Sequence, residues 1–236
     1  MSTPTWLEFV TGPVFRFALV ILILGLARLV FLSLWGMVSA IRRAGNRQLA
    51  YGQIFKETLS WLFPFFRLHR VRPLQSYASF VFHIGVILGL LFLQNHLNIL
   101  RSTVGIAWPA MPRFILDILT LLTVVTGTYL LLYRLYARGA RALSGVMDYL
   151  LLLLLLNIFV SGFLAGRPWN PIPYNGLMLF HTLNGIFLLL LIPFTKIAHC
   201  VLFPLIRLGS EIAWHLTSHG GSDVIQTLYG PEGRKI

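Results

Sequence analysis

The chain reads as long apolar runs separated by short polar or basic stretches. Five runs are long enough to cross a bilayer as helices, at about residues 13–38, 77–97, 114–135, 147–164 and 177–205. Apolar residues are continuous within each run and do not alternate, which selects helices over a transmembrane barrel. The pattern therefore predicts an all-α integral membrane protein, a bundle of five transmembrane helices.

The stretches between runs are unequal in charge. The 40–76 loop, the 136–144 loop and the C-terminal tail carry most of the basic residues, among them Arg42, Arg43, Arg47, Lys56, Arg67, Arg70, Arg72, Arg138, Arg141 and Arg207. The opposite side has Arg16, Arg101, Arg113 and Arg167. Positive residues stay inside, so the N-terminus is expected outside and the C-terminus in the cytoplasm. This divides the chain into a transmembrane domain, 1–206, with a cytoplasmic interfacial loop at 40–76, and a cytoplasmic tail, 207–236, suited to contacting a partner subunit. The loop segment YGQIFKETLSWLFPFFRLHRVRP is too charged to cross and is expected to lie on the membrane face, interrupted at Pro64. The outer loop GRPWNPIPYNG has three prolines and cannot be helical throughout. Arg28 lies deep in the first run, either snorkelling to the inner face or serving as a counter-ion for a cofactor carboxylate or a partner subunit.

Composition narrows the class. At 57% hydrophobic and 11% charged residues, with a mean hydropathy of +0.78, this is no ordinary soluble domain. The net charge of +12 follows the loops and not a face with aromatic readers, which argues against nucleic-acid binding. A single cysteine, Cys200, excludes an intrachain disulfide and a cysteine-only iron–sulfur or zinc site. The opening MSTPTWLEFVTG lacks a basic n-region, so the first span is expected to be retained.

Histidines are the candidate chemistry. His181 and His199 are eighteen residues apart in the last run, about five helical turns, which puts both rings on one face roughly 27 Å apart along the axis. The second run carries His83 and His96 and runs in the opposite direction. Depth pairs His83 with His199 toward the inside and His96 with His181 toward the outside. Two antiparallel helices offering one imidazole each at two levels is what two bis-histidine haems need. Thirteen residues between His83 and His96 leave their rings about 140° apart on an ideal helix, so this pair does not share a clean face. His69 is angularly closer but falls in charged sequence outside the bilayer. Gly85, Gly89, Gly185 and Pro193 are small or irregular positions that would let a porphyrin approach. The plainer alternative is interfacial histidines that merely end their spans.

Two motifs, FHIGVILG at 82–89 and PFTKIAH at 193–199, make the chain resemble the gamma subunit of respiratory nitrate reductases. They are also similar to the cytochrome b subunits of heterodisulfide-reductase-like complexes. The resemblance covers the five-span region; the first loop and tail are less alike. It implies a five-helix fold, N-terminus outside, in a bacterial or archaeal cytoplasmic membrane. It also implies two haem b groups that carry electrons between membrane quinol, menaquinol or ubiquinol, and an iron–sulfur or other redox subunit on the cytoplasmic side. The chain would then be the electron-transfer subunit of a quinol:acceptor oxidoreductase, without the terminal catalytic site. His83, His181 and His199 match the family's ligand positions. The family's other second-helix histidine falls ten residues after the first, where this chain has Leu93, and His96 stands in for it. Asn95, Arg101 and Asp117, at the outer ends of the second and third runs, are the quinol-site candidates, or simply solvated helix ends. Arg134, Arg138, Arg67 and Arg70 could pair with inner-haem propionates or only obey the charge rule. A haem-free membrane anchor or transporter component is the rival reading, against which no repeat symmetry or paired broken helices are found.

Overall fold

The structure, a computed structural model, describes residues 3–44, 49–62 and 72–216, and among them there is no strand. Ten α-helices follow in order: α1 (Thr3–Phe9), α2 (Phe15–Ala44), α3 (Tyr51–Leu62), α4 (Pro73–Phe92), α5 (Gln94–Val104), α6 (Arg113–Tyr136), α7 (Arg138–Ala142), α8 (Val146–Ala165), α9 (Tyr174–Leu191) and α10 (His199–Leu216). A π-helical turn, Val10–Val14, joins α1 to α2 without a break, so that 6–44 is one long rod; its irregularity falls at Pro13, which has no N–H to donate. Six helical stretches among the described residues are long and apolar enough to cross a membrane: Trp6–Ala44, Pro73–Phe92, Arg113–Tyr136, Val146–Ala165, Tyr174–Phe194 and Lys196–Leu216. The chain is a multi-pass, all-helical membrane protein. The sixth stretch arises because the last apolar run, expected as one span, is interrupted and extended.

That interruption has a local cause. Pro193 removes a backbone donor and crowds the preceding turn. The chain answers with two short 3₁₀ turns, Ile192–Phe194 and Lys196–Ala198, separated by Thr195 in an extended conformation at φ −131°, ψ 176°. Thr195 Oγ1 accepts from the Ile197 N–H at 3.4 Å and starts the next turn. His181 and His199 are therefore not on one uninterrupted helix, and the five whole turns counted between them do not apply to this backbone. His199 is also not near the end of the rod, because α10 continues to Leu216 and passes through 206–207 unbroken.

Packing separates two compact units, Met1–Leu22 with Phe65–Leu191, and Ile23–Pro64 with Ile192–Ile236. In the first, α4 and α6 pack at glycine. A Cβ on Gly85 would collide with Thr123 Oγ1, and one on Gly127 would come within 2.8 Å of the Phe82 ring. Thr123 is fully buried, with its hydroxyl donated to the Leu119 carbonyl at 2.6 Å, so the close approach leaves no polar group unpaired. Gly89 faces the Phe159 ring of α8. Gly85 and Gly89 thus serve helix packing, and the expectation that they clear space for a porphyrin is corrected. Gly185 does have open space where its Cβ would be. Val10, Ala18 and Ile186 form the core beside α9.

In the second unit, α2 and the chain from Ile192 run in the same direction. A Cβ on Gly25 would stand 2.5 Å from the Pro193 Cβ, and one on Gly209 would stand 3.6 Å from Met37 Cγ and Sδ. Leu49, Ile54 and Ile212 then close a cluster with Met37, Ile41, Leu208 and Leu216. This seats the amphipathic α3, the helical part of the expected interfacial segment, against α10. Arg207 lies 3.9 Å over the Trp61 ring and pairs with Glu211 at 3.1 Å. Arg47, Arg67, Arg70 and His69 lie outside the described residues.

Candidate functional site

His96 and His181 are brought together by a break that no residue pattern marks. The α4 helix stops at Phe92, and Leu93 is extended at φ −74°, ψ 125°. The polar residues beginning at Gln94 start α5 as a separate helix with Leu97 buried beneath it. The 140° expected on an ideal helix does not apply here, because His96 is not on the helix that carries His83. The rings of His96 and His181 are parallel to within 5°, with centres 6.3 Å apart.

Both rings are anchored through Nδ1. In His96, Nδ1 donates to the Leu90 carbonyl at 3.1 Å. In His181, Nδ1 donates to the Ile158 carbonyl at 3.0 Å, with Ser161 Oγ at 3.2 Å. His83 and His199 follow the same rule, with Nδ1 donating at 2.7 Å to the carbonyls of Ser79 and Lys196. A carbonyl only accepts, so in each neutral ring the proton is on Nδ1 and the lone pair on Nε2. This is the arrangement that orients an imidazole for a metal, the second nitrogen being fixed by a backbone carbonyl. His96 lies beyond the end of the Pro73–Phe92 span. Burial pushes its imidazole below the ordinary range, more than the hydrogen bonds to the Leu90 and Gly89 carbonyls raise it, which favours the neutral ring.

Neutral imidazoles with the lone pair on Nε2 are donors of the type that a haem iron takes. The His96 and His181 rings stand as a stacked pair, so their separation alone does not name a metal. No group of three or more His, Cys, Asp or Glu side chains that could hold a bare metal ion occurs among the described residues.

The α8 helix contributes residues that spacing and hydropathy did not single out. A Cβ on Gly162 would sit 2.7 Å from Cε1 and 3.0 Å from Nδ1 of His181, so only glycine leaves room for the ring. Ser161 beside it is buried, its hydroxyl also donating to the Asn157 carbonyl at 2.7 Å. The Ser161–Gly162 pair inside an otherwise leucine-rich run was the available signal.

His83 is exposed, its ring edge-on to Phe82 at 5.8 Å. His83 belongs to the first unit and His199 to the second. Of the quinol candidates, Asn95 and Arg101 are exposed on α5. Asp117 is held by Arg167 at 2.8 Å, and Arg167 lies 4.1 Å over the Phe163 ring. The same end of α6 is tied to α8 by Arg113, whose Nη2 donates to the Gly166 carbonyl at 2.5 Å. At the other end Arg134 donates to the Asp148 carbonyl at 3.0 Å, and Arg72 donates to the Tyr133 hydroxyl at 2.8 Å. Arg134 is thereby engaged in joining α6 to α8; Arg138 is exposed.

Fold and site define a multi-pass helical membrane protein in which His96 and His181 stand as a parallel pair, each hydrogen-bonded to a backbone carbonyl. No family model and no solved structure matches the sequence. The chain is 33% identical over 211 residues to a protein of Nitratidesulfovibrio vulgaris strain Hildenborough, described only as "Protein". The match spans 87% of this chain and 92% of that one, and the chain belongs to the same family.

Proposed function

We propose that this chain is the membrane cytochrome b subunit of a respiratory complex, similar to the nitrate reductase gamma subunit. It carries electrons between membrane quinol and a redox subunit on the cytoplasmic side, in a bacterial or archaeal cytoplasmic membrane. The observation that carries the reading is the parallel His96–His181 pair, each ring fixed by an Nδ1–H donated to a backbone carbonyl. His96 and His181 would hold one haem b, and His83 and His199 are each a candidate ligand for a second. When bound, haem supplies one-electron transfer; the chain's part is ligation, orientation and a dry surrounding. Ile158, Ser161 and Gly162 position His181, and the Leu93 break positions His96.

The reading includes five crossings, with the N-terminus outside. The parallel contacts Gly25–Pro193 and Met37–Gly209 support it. They let Lys196–Leu216 continue inward alongside α2 as the inner half of a broken fifth span, where an independent sixth crossing would need it to start at a membrane face.

The test is the visible spectrum and pyridine haemochrome of the purified full-length protein. About two b haems per chain, reducible by a quinol analogue, are expected. Haem-free protein from haem-replete cells overturns the reading in favour of an anchor or transporter component.

A further inference from the structure

The α2 helix carries a seam with a charge in it. Phe17, Val20, Leu24, Arg28, Phe31, Trp35 and Val38 follow one another at spacings of three and four residues, and all are exposed. At about 100° per residue they fall within roughly 80° of one another around the helix. Leu24, Phe31 and Trp35 are 63%, 62% and 60% exposed, and Phe31 stacks on Trp35 at 6.2 Å, which makes a preformed aromatic ridge. The opposite face is the one used inside the chain, where Gly25 meets Pro193 and Met37 meets Gly209.

Arg28 sits at mid-span. It is twelve residues from Arg16 and fourteen from Arg42, about 18 Å and 21 Å along the helix. An extended arginine reaches only about 7 Å, which does not bring the guanidinium to either boundary of a roughly 30 Å core. Among the described residues Arg28 makes no hydrogen bond or ion pair. An unpaired guanidinium at this depth costs at least about 2.5 kcal/mol, and it persists where a partner neutralises it.

A second copy of this chain does not supply that partner. Copies share one orientation in the membrane, so α2 against α2 would set Arg28 against Arg28. Of the acids near its spans, Asp117 is paired with Arg167, Glu211 with Arg207, and Asp148 with the Gly145 N–H, while Glu8 stands twenty residues before Arg28 on the same rod, about 30 Å away along the axis.

We infer that the Phe17–Val38 seam of α2 docks a transmembrane helix of a different subunit, one that carries an Asp or Glu at mid-span opposite Arg28. The apolar positions pack by close contact, and the buried ion pair fixes depth and register. This is independent of whether the histidines bind haem.

A photo-crosslinking residue placed at Leu24 or Phe31 of the full chain, in its native membrane, tests it, with Leu29 as the inward-facing control. The expected result is an adduct at 24 and 31 but not 29, mapping to a helix of another protein with a mid-span carboxylate. Arg28→Leu, which inserts at least as readily as the parent, should lower its yield about tenfold, the effect of an interhelical polar contact of about 1–2 kcal/mol. Arg28→Glu combined with Arg in place of the mapped carboxylate should restore it. Adducts with lipid only, with a second copy, or with a helix lacking a mid-span carboxylate overturn the inference, as does a yield indifferent to Arg28→Leu.

Discussion

The imidazoles of His96 and His181 lie parallel with centres 6.3 Å apart, although 85 residues separate them in the chain (181 − 96) and a backbone break is needed to aim one at the other. If they share one haem, either ligand is indispensable to it and neither serves the other site. His96→Ala and His181→Ala should each lower pyridine haemochrome from about two haems per chain to about one. His96→Ala leaving two would remove His96 from the ligand set.

Gly162 is the more discriminating position, because its substitution leaves every ligand in place. A Cβ there meets Cε1 of His181 at 2.7 Å, too close for any carbon contact, so the ring must leave its hydrogen bond to Ile158. Gly162→Ala should shift or abolish the outer low-spin haem signal in the reduced-minus-oxidised spectrum. Gly176→Ala, which meets nothing within 4 Å, should leave the spectrum as it is.

Legibility in the sequence differs from element to element. The apolar runs located the membrane-length helices, because about twenty apolar residues in lipid can satisfy their backbone only as a helix, but the last run reads as one stretch where the structure has two. That His96 and His181 would come near each other was also legible, since antiparallel runs set level along the bundle independently of rotation. What was not legible was backbone irregularity. Pro193 marked the second break, yet the extended Leu93 has no proline or glycine beside it, and the angular conflict between His83 and His96 was its only trace. Gly85 and Gly89 were misread for a related reason, since a glycine's neighbour across a helix pair is set by packing that no local pattern encodes. Thr123 and Phe159 occupy those spaces.

The Gly85–Thr123 contact makes a stability prediction separate from any cofactor. Gly85→Val would drive two methyl groups into Thr123 and the Leu119 carbonyl at a helix interface with no slack. A loss of about 1–3 kcal/mol is expected, the usual cost of overpacking. Thermal unfolding in detergent measures it. Thr123→Ala should recover part of the loss in the double variant, and a single variant as stable as the parent would mean that α4 and α6 are packed less closely than described.

Topology is the last expectation, and it turns on direction within one unit. Gly25 meets Pro193 and Met37 meets Gly209, so moving twelve residues along α2 moves sixteen along the later chain in the same sense. The α2 helix ends at Arg42 and Arg43, which the charge asymmetry places in the cytoplasm. The end of α10, clustered with Met37 and Ile41 through Leu208 and Ile212, then faces the same side. A fluorescent reporter that folds only in the cytoplasm should be bright when fused after Ile236. An alkaline phosphatase fusion at the same point should be inactive. Phosphatase activity there would make Lys196–Leu216 a sixth crossing, and would put both termini on one side of the membrane.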